Sequence, residues 1–364
     1  MRLRSIDIKN FRNYSNQSYT FDKNLYVLIG QNAQGKTSFI ESIYVLAYAK
    51  SYRVHSDEEL ISFGADFAKI NAVVEKNQGT MQFEYILARN GKKVKINQVE
   101  CKRLIDFVGN VYVVKFSPED LLLIKGSPGL RRKFLDLQLS QLDNQYLQSL
   151  VIYNKILAQK KETLKSEHVD SIYIDILNDQ LIEQMTIIYQ KRIEYIDRLQ
   201  VLVQPIFDTL TSEKETFTFS YESNCISYPS NGDLITELKQ KMAEYKEREI
   251  RQRKILIGPH RDDLIFFIDE KNLRLYGSQG QQRTVVLTLI LAQIEYIYEQ
   301  ANTYPILLLD DVLSELDDNR KVQLINKLDP EMQTFITTTE LHKLDEYITA
   351  DYQIIKIDDG KIIE

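Results

Sequence analysis

Apolar and polar positions divide the chain into two kinds of segment. In residues 1–117 and 255–364, short apolar runs alternate with loops and amphipathic stretches, which is typical of strands and helices in α/β proteins. In residues 118–254, apolar side chains such as Leu181 and Met185 recur at three- and four-residue spacing, which indicates packed helices. The pattern therefore predicts one α/β domain into which a mostly helical lobe is inserted.

Several runs within the α/β part predict individual strands. Residues 25–29 and 306–309 are short and almost wholly apolar, as in buried strands. Between residues 67 and 99, three segments alternate in polarity, and the last two are joined by Asn90-Gly91, a pair that favours a hairpin. We therefore expect an antiparallel sheet beside the core that holds the buried strands.

The inserted lobe is predicted to consist mainly of long helices. Residues 130–162 and 171–203 each have the periodicity of one long helix. A short strand is predicted at residues 216–221, and a basic helix at residues 233–254. The chain is expected to return to the α/β domain near residue 255.

Composition restricts the class of protein. Hydrophobic residues make up 43% and charged residues 27% of 364 residues, which is ordinary for a soluble globular chain of about two domains. The longest apolar run, residues 284–292, is about half of a membrane span, and the first residues lack the apolar core of an export signal. Cys101 and Cys225 are isolated, which fits a reducing compartment. We therefore expect a cytoplasmic protein with no membrane partner.

The loop after the first buried strand has the pattern of a phosphate-binding loop. It reads GQNAQGKT, between a predicted strand and a predicted helix. Its two glycines allow backbone N–H groups to converge on phosphate oxygens at the positive end of the helix. Nucleotide binding is therefore predicted for Gly30, Gln31, Asn32, Ala33, Gln34, Gly35, Lys36, Thr37 and Ser38.

Four residues of the predicted nucleotide site have chemical roles. Lys36 is placed to neutralise the β- and γ-phosphates, and Thr37 offers a hydroxyl to Mg²⁺. Asp310, which ends the buried strand at residues 306–309, matches the Walker B carboxylate that holds Mg²⁺ through Thr37 or water. Asp311 is placed to orient or deprotonate the attacking water. Lys36, Asp310 and Asp311 are the predicted catalytic residues, with Thr37 and Asp310 at the metal.

A second anion site is predicted at the head of a long helix before Asp310. Ser278, Gly280 and Gln281 supply a serine hydroxyl, a glycine N–H and a helix N-terminus, a combination that binds anions. Since the chain already has its own phosphate loop, we expect these residues to bind the γ-phosphate of ATP held by a second copy. The alternative is that Ser278 and Gln281 form a capping box and nothing more.

Three further segments resemble motifs of nucleotide-binding proteins. Residues 313–317 read LSELD and match the D-loop of ABC-type ATPases, while Thr338, Thr339 and Glu340 stand where that class has its switch loop. Residues 326–329 read NKLD, the guanine-recognition motif of GTPases, but no DxxG switch precedes them. We interpret NKLD as a chance match and expect adenine.

Taken together, these segments resemble the SMC and ABC-type repair ATPases, and among them the RecF family. The resembling segments follow one another through nearly the whole chain, which is more specific than any single motif. They are IKNFRNY at 8–14, GQNAQGKT at 30–37, KSYR at 50–53, FSPEDLLLIKGSPGLRRKFLD at 116–136, GPHRDDL at 258–264, YGSQGQQRT at 276–284 and LLLDDVLSELD at 307–317. SMC relatives carry hundreds of coiled-coil residues in the insertion, whereas 137 residues (118–254) suit the compact RecF form.

The resemblance implies a fold and a function. The fold is of the α/β class, an ABC-type P-loop ATPase head with an antiparallel β subdomain and an inserted mostly helical lobe. The function is that of an ATP-dependent DNA-binding protein of replication and recombinational repair, with ATP and Mg²⁺ as cofactors. Such a protein would form a homodimer on ATP and clamp double-stranded DNA near single-strand gaps or junctions. It would hydrolyse ATP slowly, with stimulation by DNA, and work with RecR and RecO to load recombinase.

The resemblance also bears on single positions. Arg12 matches the position from which related ATPases contact the nucleotide. Asp311 stands where most ABC enzymes have Glu, and Glu340 where many have the switch histidine. The usual Q-loop glutamine has no counterpart, and residues 117–120 occupy its place. Two alternative functions stay open, namely the cytoplasmic ATPase subunit of an ABC transporter and a nucleotide-switched scaffold whose hydrolysis is incidental.

Two basic clusters are candidates for DNA contact. Residues 239–254 hold seven Lys or Arg against three Glu, and Arg131, Arg132 and Lys133 form the second cluster. The net charge of −6 means that nucleic-acid binding must use such local patches. Contacts of this kind would be made mainly to phosphates, and they would weaken as salt rises. The alternative for each cluster is a solvated helix face.

Overall fold

The computed structural model describes residues 1–363 except 55, 78, 212–214, 229–232, 315, 340–347 and 349–350. The chain forms two compact units. The first unit comprises residues 1–121, 206–212 and 283–364, and the second comprises residues 122–205 and 213–282.

Strands and helices follow in this order. The strands are β1 (Arg2–Phe11), β2 (Tyr14–Thr20), β3 (Leu25–Ile29), β4 (Phe67–Lys76), β5 (Gly79–Ala88), β6 (Gly91–Ile96), β7 (Val99–Glu100), β8 (Val113–Phe116), β9 (Phe217–Glu222), β10 (Asp263–Ile268), β11 (Lys271–Asn272), β12 (Ile306–Asp310), β13 (Thr334–Thr338), β14 (Tyr352–Asp358) and β15 (Lys361–Ile363). The helices are α1 (Lys36–Tyr48), α2 (Leu122–Lys125), α3 (Pro128–Leu142), α4 (Asn144–Lys165), α5 (Ser171–Thr211), α6 (Leu234–Gln252), α7 (Leu273–Tyr276), α8 (Gln279–Ala301) and α9 (Asp318–Asn326). None of the described helices is both long enough and apolar enough to cross a membrane.

Two sheets build the first unit. One is antiparallel, in the order β2-β1-β4-β5-β6-β7, and the other has the order β15-β14-β3-β13-β12-β8, with β14, β3, β13, β12 and β8 parallel. Helix α1 packs against strands of both sheets, and it is therefore buried nearly all round. The carboxyl ends of β3, β13 and β12 lie side by side at one edge of the parallel sheet, which is where such sheets bind ligands.

The second unit is mostly helical, with the small sheet β11-β10-β9. The α/β class, the antiparallel subdomain and the helical lobe agree with the sequence prediction. The predicted return to the α/β domain near residue 255 differs from the structure. β10 pairs antiparallel with β9, so residues 263–268 belong to the helical unit and not to the parallel sheet.

The structure also corrects the predicted helix at residues 130–162. Helix α3 ends at Leu142, and α4 begins at Asn144. Between them Asp143 has an extended backbone (φ −130°, ψ 107°), and its side chain accepts a bond of 2.9 Å from the Tyr146 N–H. An N-cap of this kind starts a new helix, which helical periodicity alone does not show.

Candidate functional site

The phosphate loop lies between the end of β3 and the start of α1. Gly35 has φ 119°, and a Cβ there would lie 2.7 Å from Asn13 Nδ2 and 3.0 Å from Tyr14 Oη. The same two side chains hold the loop, because Asn13 Nδ2 donates to the Gln34 carbonyl (3.0 Å) and the Tyr14 hydroxyl donates to the Gly35 carbonyl (2.9 Å). The close approach of the β1–β2 turn therefore requires glycine at position 35.

Gly30 and Gln34 connect the loop to the β14–β15 turn. A Cβ at Gly30 would collide with the Ile357 carbonyl oxygen. Gln34 accepts a bond from the Asp359 N–H on its side-chain oxygen (2.5 Å) and another from the Gly360 N–H on its carbonyl (2.9 Å). The β14–β15 turn thus supports the phosphate loop through these contacts.

Lys36 opens α1, and its ammonium group lies within the loop. Nζ donates to the Gly30 carbonyl at 2.6 Å and to the Gln31 carbonyl at 2.9 Å. Burial lowers the pKa of Lys36, while the charges of Asp311 and Asp310 act to raise it. A partly desolvated cation interacts more strongly with an anion that enters the site than a solvated one does.

The carboxylate of Asp310, at the end of β12, accepts bonds from three hydroxyl groups. Oδ1 accepts from Thr37 and Thr337, both at 3.0 Å, and Oδ2 accepts from Tyr52 at 2.9 Å. Thr337 lies on the neighbouring strand β13, and Thr37 lies in the first turn of α1. The structure therefore brings together Thr37 and Asp310, the two residues predicted to hold Mg²⁺.

Asp311 follows β12 with a left-handed backbone, φ 55°. Its N–H donates to Thr337 Oγ1 at 2.8 Å, and its carbonyl accepts from Ser314 Oγ at 2.7 Å. A left-handed conformation costs on the order of 1–3 kcal/mol for a residue with a side chain, and such conformations persist where surrounding contacts enforce them. Here the two hydrogen bonds do so, and the side chain lines the same cavity as Lys36.

Arg12 also lines that cavity, but a buried carboxylate engages its guanidinium group. Nε and Nη2 donate to the two oxygens of Glu41 at 2.8 and 2.7 Å, and Nη1 donates to the Glu59 carbonyl at 2.9 Å. Glu41 is fully buried, and it also accepts a bond from Ser51. Because Glu41 and Glu59 use these donors, the nucleotide contact predicted for Arg12 stays a prediction.

One cavity of about 560 Å³ unites most of the predicted nucleotide-binding residues, and its size is that of a small-molecule site. The predicted residues that line it are Arg12, Asn32, Ala33, Gly35, Lys36, Thr37, Ser38 and Asp311. The other lining residues are Asn13, Arg53, Glu59, Ile61, Phe63 and Thr337. Gly30, Gln31, Gln34 and Asp310 contact these lining residues from behind.

Ser278 precedes α8, in the second unit, and forms a complete capping box. Its N–H donates to Gln281 Oε1 (2.8 Å), and the Gln281 N–H donates to Ser278 Oγ (3.2 Å). Gln281 Nε2 also donates to Glu215 at 2.7 Å, and Gly280 lies in the first turn of the helix. The structure shows the capping box, and the anion site for a second copy of ATP stays a prediction.

The segment in the place of the Q-loop forms a closed polar turn. The N–H and hydroxyl of Ser117 donate to Asp120 Oδ2 at 2.7 and 3.0 Å. Lys115 Nζ donates to the same carboxylate at 2.6 Å and lies 4.7 Å from the centre of the Tyr52 ring. This turn is thus linked through Tyr52 to Asp310. Two other predicted positions, Glu315 of the D-loop and Glu340 of the switch loop, lie outside the described residues.

The NKLD segment has a structural role in a turn. Asp329 accepts bonds from the Tyr304 hydroxyl (3.0 Å) and from the Glu331 N–H (2.8 Å), one on each carboxylate oxygen. Both oxygens thus serve the local fold, which agrees with the interpretation of NKLD as a chance match.

The prediction that Arg131 contributes to a DNA-contacting cluster is wrong. Arg131 is buried, and its guanidinium group donates to both oxygens of Asp263 at 2.6 and 2.9 Å. Arg132 donates to the Asp262 carbonyl at 2.7 Å, which leaves Lys133 as the exposed member of the cluster. The resembling segments at 116–136 and 258–264 therefore pack together, and a basic run does not by itself show exposure.

Sequence reasoning missed several residues of the site. Glu41, Tyr52, Phe63 and Thr337 had no motif that assigned them a role, and Tyr52 stood out only as part of the KSYR segment. Glu41, Tyr52 and Thr337 meet Arg12 or Asp310 through contacts between residues far apart in the chain. Phe63 lines the cavity. Only the fold reveals these positions.

The chain is similar to known proteins over its whole length. The family described as RecF/RecN/SMC N terminal domain matches residues 2–362. The DNA replication and repair protein RecF of Halalkalibacterium halodurans is 43% identical, with 100% of this chain and 99% of that protein covered. The RecF protein of Ligilactobacillus salivarius is 42% identical, with 100% and 98% covered. A solved structure described as the recombination mediator protein RecF-ATPrS in the RecFOR pathway has a TM-score of 0.91 at 30% identity, with 99% and 97% covered.

Proposed function

The chain belongs to the RecF family, and from this premise we propose that it is an ATP-dependent DNA-binding protein of DNA replication and recombinational repair. One observation carries the proposal: Lys36, Thr37 and Asp311 line one cavity, with Asp310 bonded to Thr37 behind it. The relatives are named for DNA replication and repair, and this does not favour the transporter alternative.

ATP and Mg²⁺ fit the residues of the cavity. The backbone of residues 32–38 and the Lys36 ammonium would hold the phosphates, and burial of Lys36 supports this assignment. Thr37 and Asp310 offer the hydroxyl and carboxylate oxygens that Mg²⁺ prefers. The bound metal would neutralise charge on the β- and γ-phosphates during hydrolysis to ADP and phosphate.

Asp311 is the residue that we assign to the attacking water. Its backbone is fixed by hydrogen bonds on both sides, and its carboxylate faces the cavity beside Lys36. A carboxylate in this place orients water or accepts its proton. The aspartate is one methylene shorter than glutamate, which is consistent with slow hydrolysis that DNA binding would stimulate.

ATP-dependent homodimerisation rests on the exposed surface around Ser278. Ser278 is exposed, and beside it Leu275 and Tyr276 expose 69% and 73% of their surface. Adjacent exposed apolar side chains are typical of interaction surfaces. The Ser278 hydroxyl accepts a bond from Gln281, so its proton remains to be donated to a phosphate oxygen of a second copy.

The test is sedimentation of the full chain with and without ATP and Mg²⁺. The decisive variant is Ser278→Asp, because aspartate caps helices as well as serine does but repels phosphate. We expect wild type and Ser278→Thr, which retains the hydroxyl, to dimerise with ATP, and Ser278→Asp to stay monomeric while binding ATP normally. If Ser278→Asp dimerised at the same ATP concentration as wild type, Ser278 would serve as a helix cap and would not bind a phosphate of the second copy.

The partners follow from the family. We propose that the dimer binds double-stranded DNA near single-strand gaps or junctions and acts with RecR and RecO in the cytoplasm. The same sedimentation experiment with gapped duplex DNA tests this, since DNA should co-sediment with the protein when ATP is present and not in its absence.

A further inference from the structure

The cavity that contains the phosphate loop is also lined by residues from a second loop. Beyond Lys36 and Thr37, its lining includes Glu59, Ile61 and Phe63 from the loop between α1 and β4. The side chain of Phe63 is fully exposed. A benzyl group that packs on nothing is unfavourable in water, and a ligand that covered it would gain from its burial.

The backbone around Phe63 is fixed even though its side chain is exposed. On one side the Arg12 N–H donates to the Leu60 carbonyl at 2.8 Å, and on the other the Ser62 N–H donates to the Asn10 carbonyl at 2.9 Å. The Ser62 hydroxyl donates to the Arg12 carbonyl at 2.7 Å. Phe63 is therefore presented by a loop that is bonded to the β1–β2 turn.

The same turn holds the phosphate loop. Asn13 and Tyr14 donate to the carbonyls of Gln34 and Gly35 at 3.0 and 2.9 Å. One short turn thus holds both the phosphate loop and the loop that carries Phe63. An exposed aromatic ring on a fixed backbone, lining a phosphate-binding cavity, is suited to stacking on a planar base.

We propose that Phe63 is the stacking platform for the base of the nucleotide whose triphosphate is held by the Lys36 loop. The proposal rests on the proposed function, and it adds the residue that contacts the base of the bound nucleotide. Stacking uses the face of the ring, so Phe63 supplies affinity for purine nucleotides without distinguishing adenine from guanine by hydrogen bonds. Tripolyphosphate, which has no base, should gain no binding affinity from Phe63.

The experiment compares ATP, GTP and inorganic tripolyphosphate, each with Mg²⁺, on three variants. Phe63→Ala should weaken ATP and GTP about tenfold each, the effect expected for loss of one base–aromatic contact, and leave tripolyphosphate unchanged. Val99→Ala, at an exposed apolar residue outside the cavity lining, is the matched control and should bind all three like wild type. Phe63→Trp should retain ATP affinity.

Phe63→Trp also provides a direct signal, because the chain contains no other tryptophan. Its fluorescence should be quenched by ATP and not by tripolyphosphate. Wild-type affinity of Phe63→Ala for ATP, equal losses for ATP and tripolyphosphate, or fluorescence that ATP leaves unchanged would each overturn the stacking proposal alone. If wild type bound neither ATP nor tripolyphosphate, the proposed function would fall as well, and the stacking proposal with it.

Discussion

At the scale of single residues, the Asp310 carboxylate shows what a motif predicts and what it does not. The phosphate-loop and Walker B patterns predict Thr37 and Asp310 as a pair. Thr337 and Tyr52 complete the set of hydroxyl donors, and they come from a neighbouring strand and a loop that the sequence did not connect to the site. A residue that orients a predicted metal ligand through a side-chain contact has no spacing signature, so only the fold identifies it.

Tyr52→Phe tests the importance of that orientation. Loss of the hydroxyl leaves Asp310 Oδ2 without its bond of 2.9 Å, so only the two bonds to Oδ1 still orient the carboxylate. Since partners of metal ligands commonly change metal affinity or activity by about 10- to 100-fold, we expect the Mg²⁺ concentration for half-maximal hydrolysis to rise about tenfold. A Mg²⁺ titration of ATP hydrolysis measures the shift.

Tyr48→Phe is the matched control for Tyr52→Phe. Tyr48 donates to the Val113 carbonyl at 3.1 Å, so this variant also loses one buried tyrosine hydrogen bond, but not one to the carboxylate. It should lower the free energy of unfolding by about 1 kcal/mol and leave the Mg²⁺ titration unchanged. Equal Mg²⁺ dependence of the two variants would show that Tyr52 has no role at the metal.

At the scale of elements, the apolar pattern predicts where strands occur, but it predicts less well where they end and which strands they pair with. The apolar pattern predicts strands at residues 25–29 and 306–309, where the structure has β3 and β12, because both strands are short and buried. In the predicted hairpin, Ala88 pairs with Gly91, so the turn is Arg89-Asn90, one residue before the Asn-Gly pair. β10 lies in the helical unit although the α/β domain was predicted to resume near residue 255, since alternation predicts a strand but not its partner.

His260 joins two elements of the second unit, and its titration is expected to destabilise the unit in acid. The Tyr153 hydroxyl on α4 lies 2.5 Å from His260 Nδ1, in the loop before β10. Burial lowers the pKa of His260 from 6.5 to about 4, and the nearby charges of Arg261, Arg132, Lys160 and Arg192 act in the same direction. The imidazole is therefore neutral in the folded protein at neutral pH.

The sign of the pH effect follows from that pKa. Between pH 6.5 and about 4 the unfolded chain binds the His260 proton and the folded chain does not, so stability is lost as the pH falls through this window. The contribution reaches on the order of 3 kcal/mol at the acid end, from about 1.4 kcal/mol per pKa unit. Denaturant unfolding at several pH values should show a shallower loss for His260→Asn than for wild type. His168→Asn, at an exposed histidine of the same unit, should follow wild type.

At the scale of the whole molecule, the positive charge available to DNA depends on which Lys and Arg side chains are exposed and not only on their number in the sequence. The chain carries a net charge of −6, and of its two basic clusters the one at residues 131–133 is largely engaged inside the second unit. On α6, Lys241 pairs with Glu244 and Lys246 pairs with Asp175. The sequence therefore predicted a helix here correctly, but α6 itself holds five Lys or Arg against four Glu, and the sequence could not tell which cations are engaged.

Arg248 and Arg251 are exposed on α6, three residues apart, so they lie on one face of the helix. If this face contacts DNA phosphates, neutralising both arginines removes two phosphate contacts. The slope of log K against log salt for gapped duplex DNA should then become less steep by about 1.8 for each bound protomer, or about 3.6 for the dimer, at about 0.9 per contact. Binding of Arg248→Gln/Arg251→Gln with ATP and Mg²⁺, measured by anisotropy over a salt series, gives this slope.

The control for the arginine variant carries the same change in net charge elsewhere on the second unit. Lys125→Gln/Lys271→Gln neutralises two exposed lysines on α2 and β11. It lowers the overall positive potential equally, so it should slow association slightly and leave the salt slope unchanged. A slope that falls by the same amount in both variants would mean that DNA binding depends on net charge alone. The exposed face of α6 would then be solvated and would not contact DNA. A slope that falls only in the arginine variant would place the DNA backbone along α6, because counterion release counts contacts and not total charge.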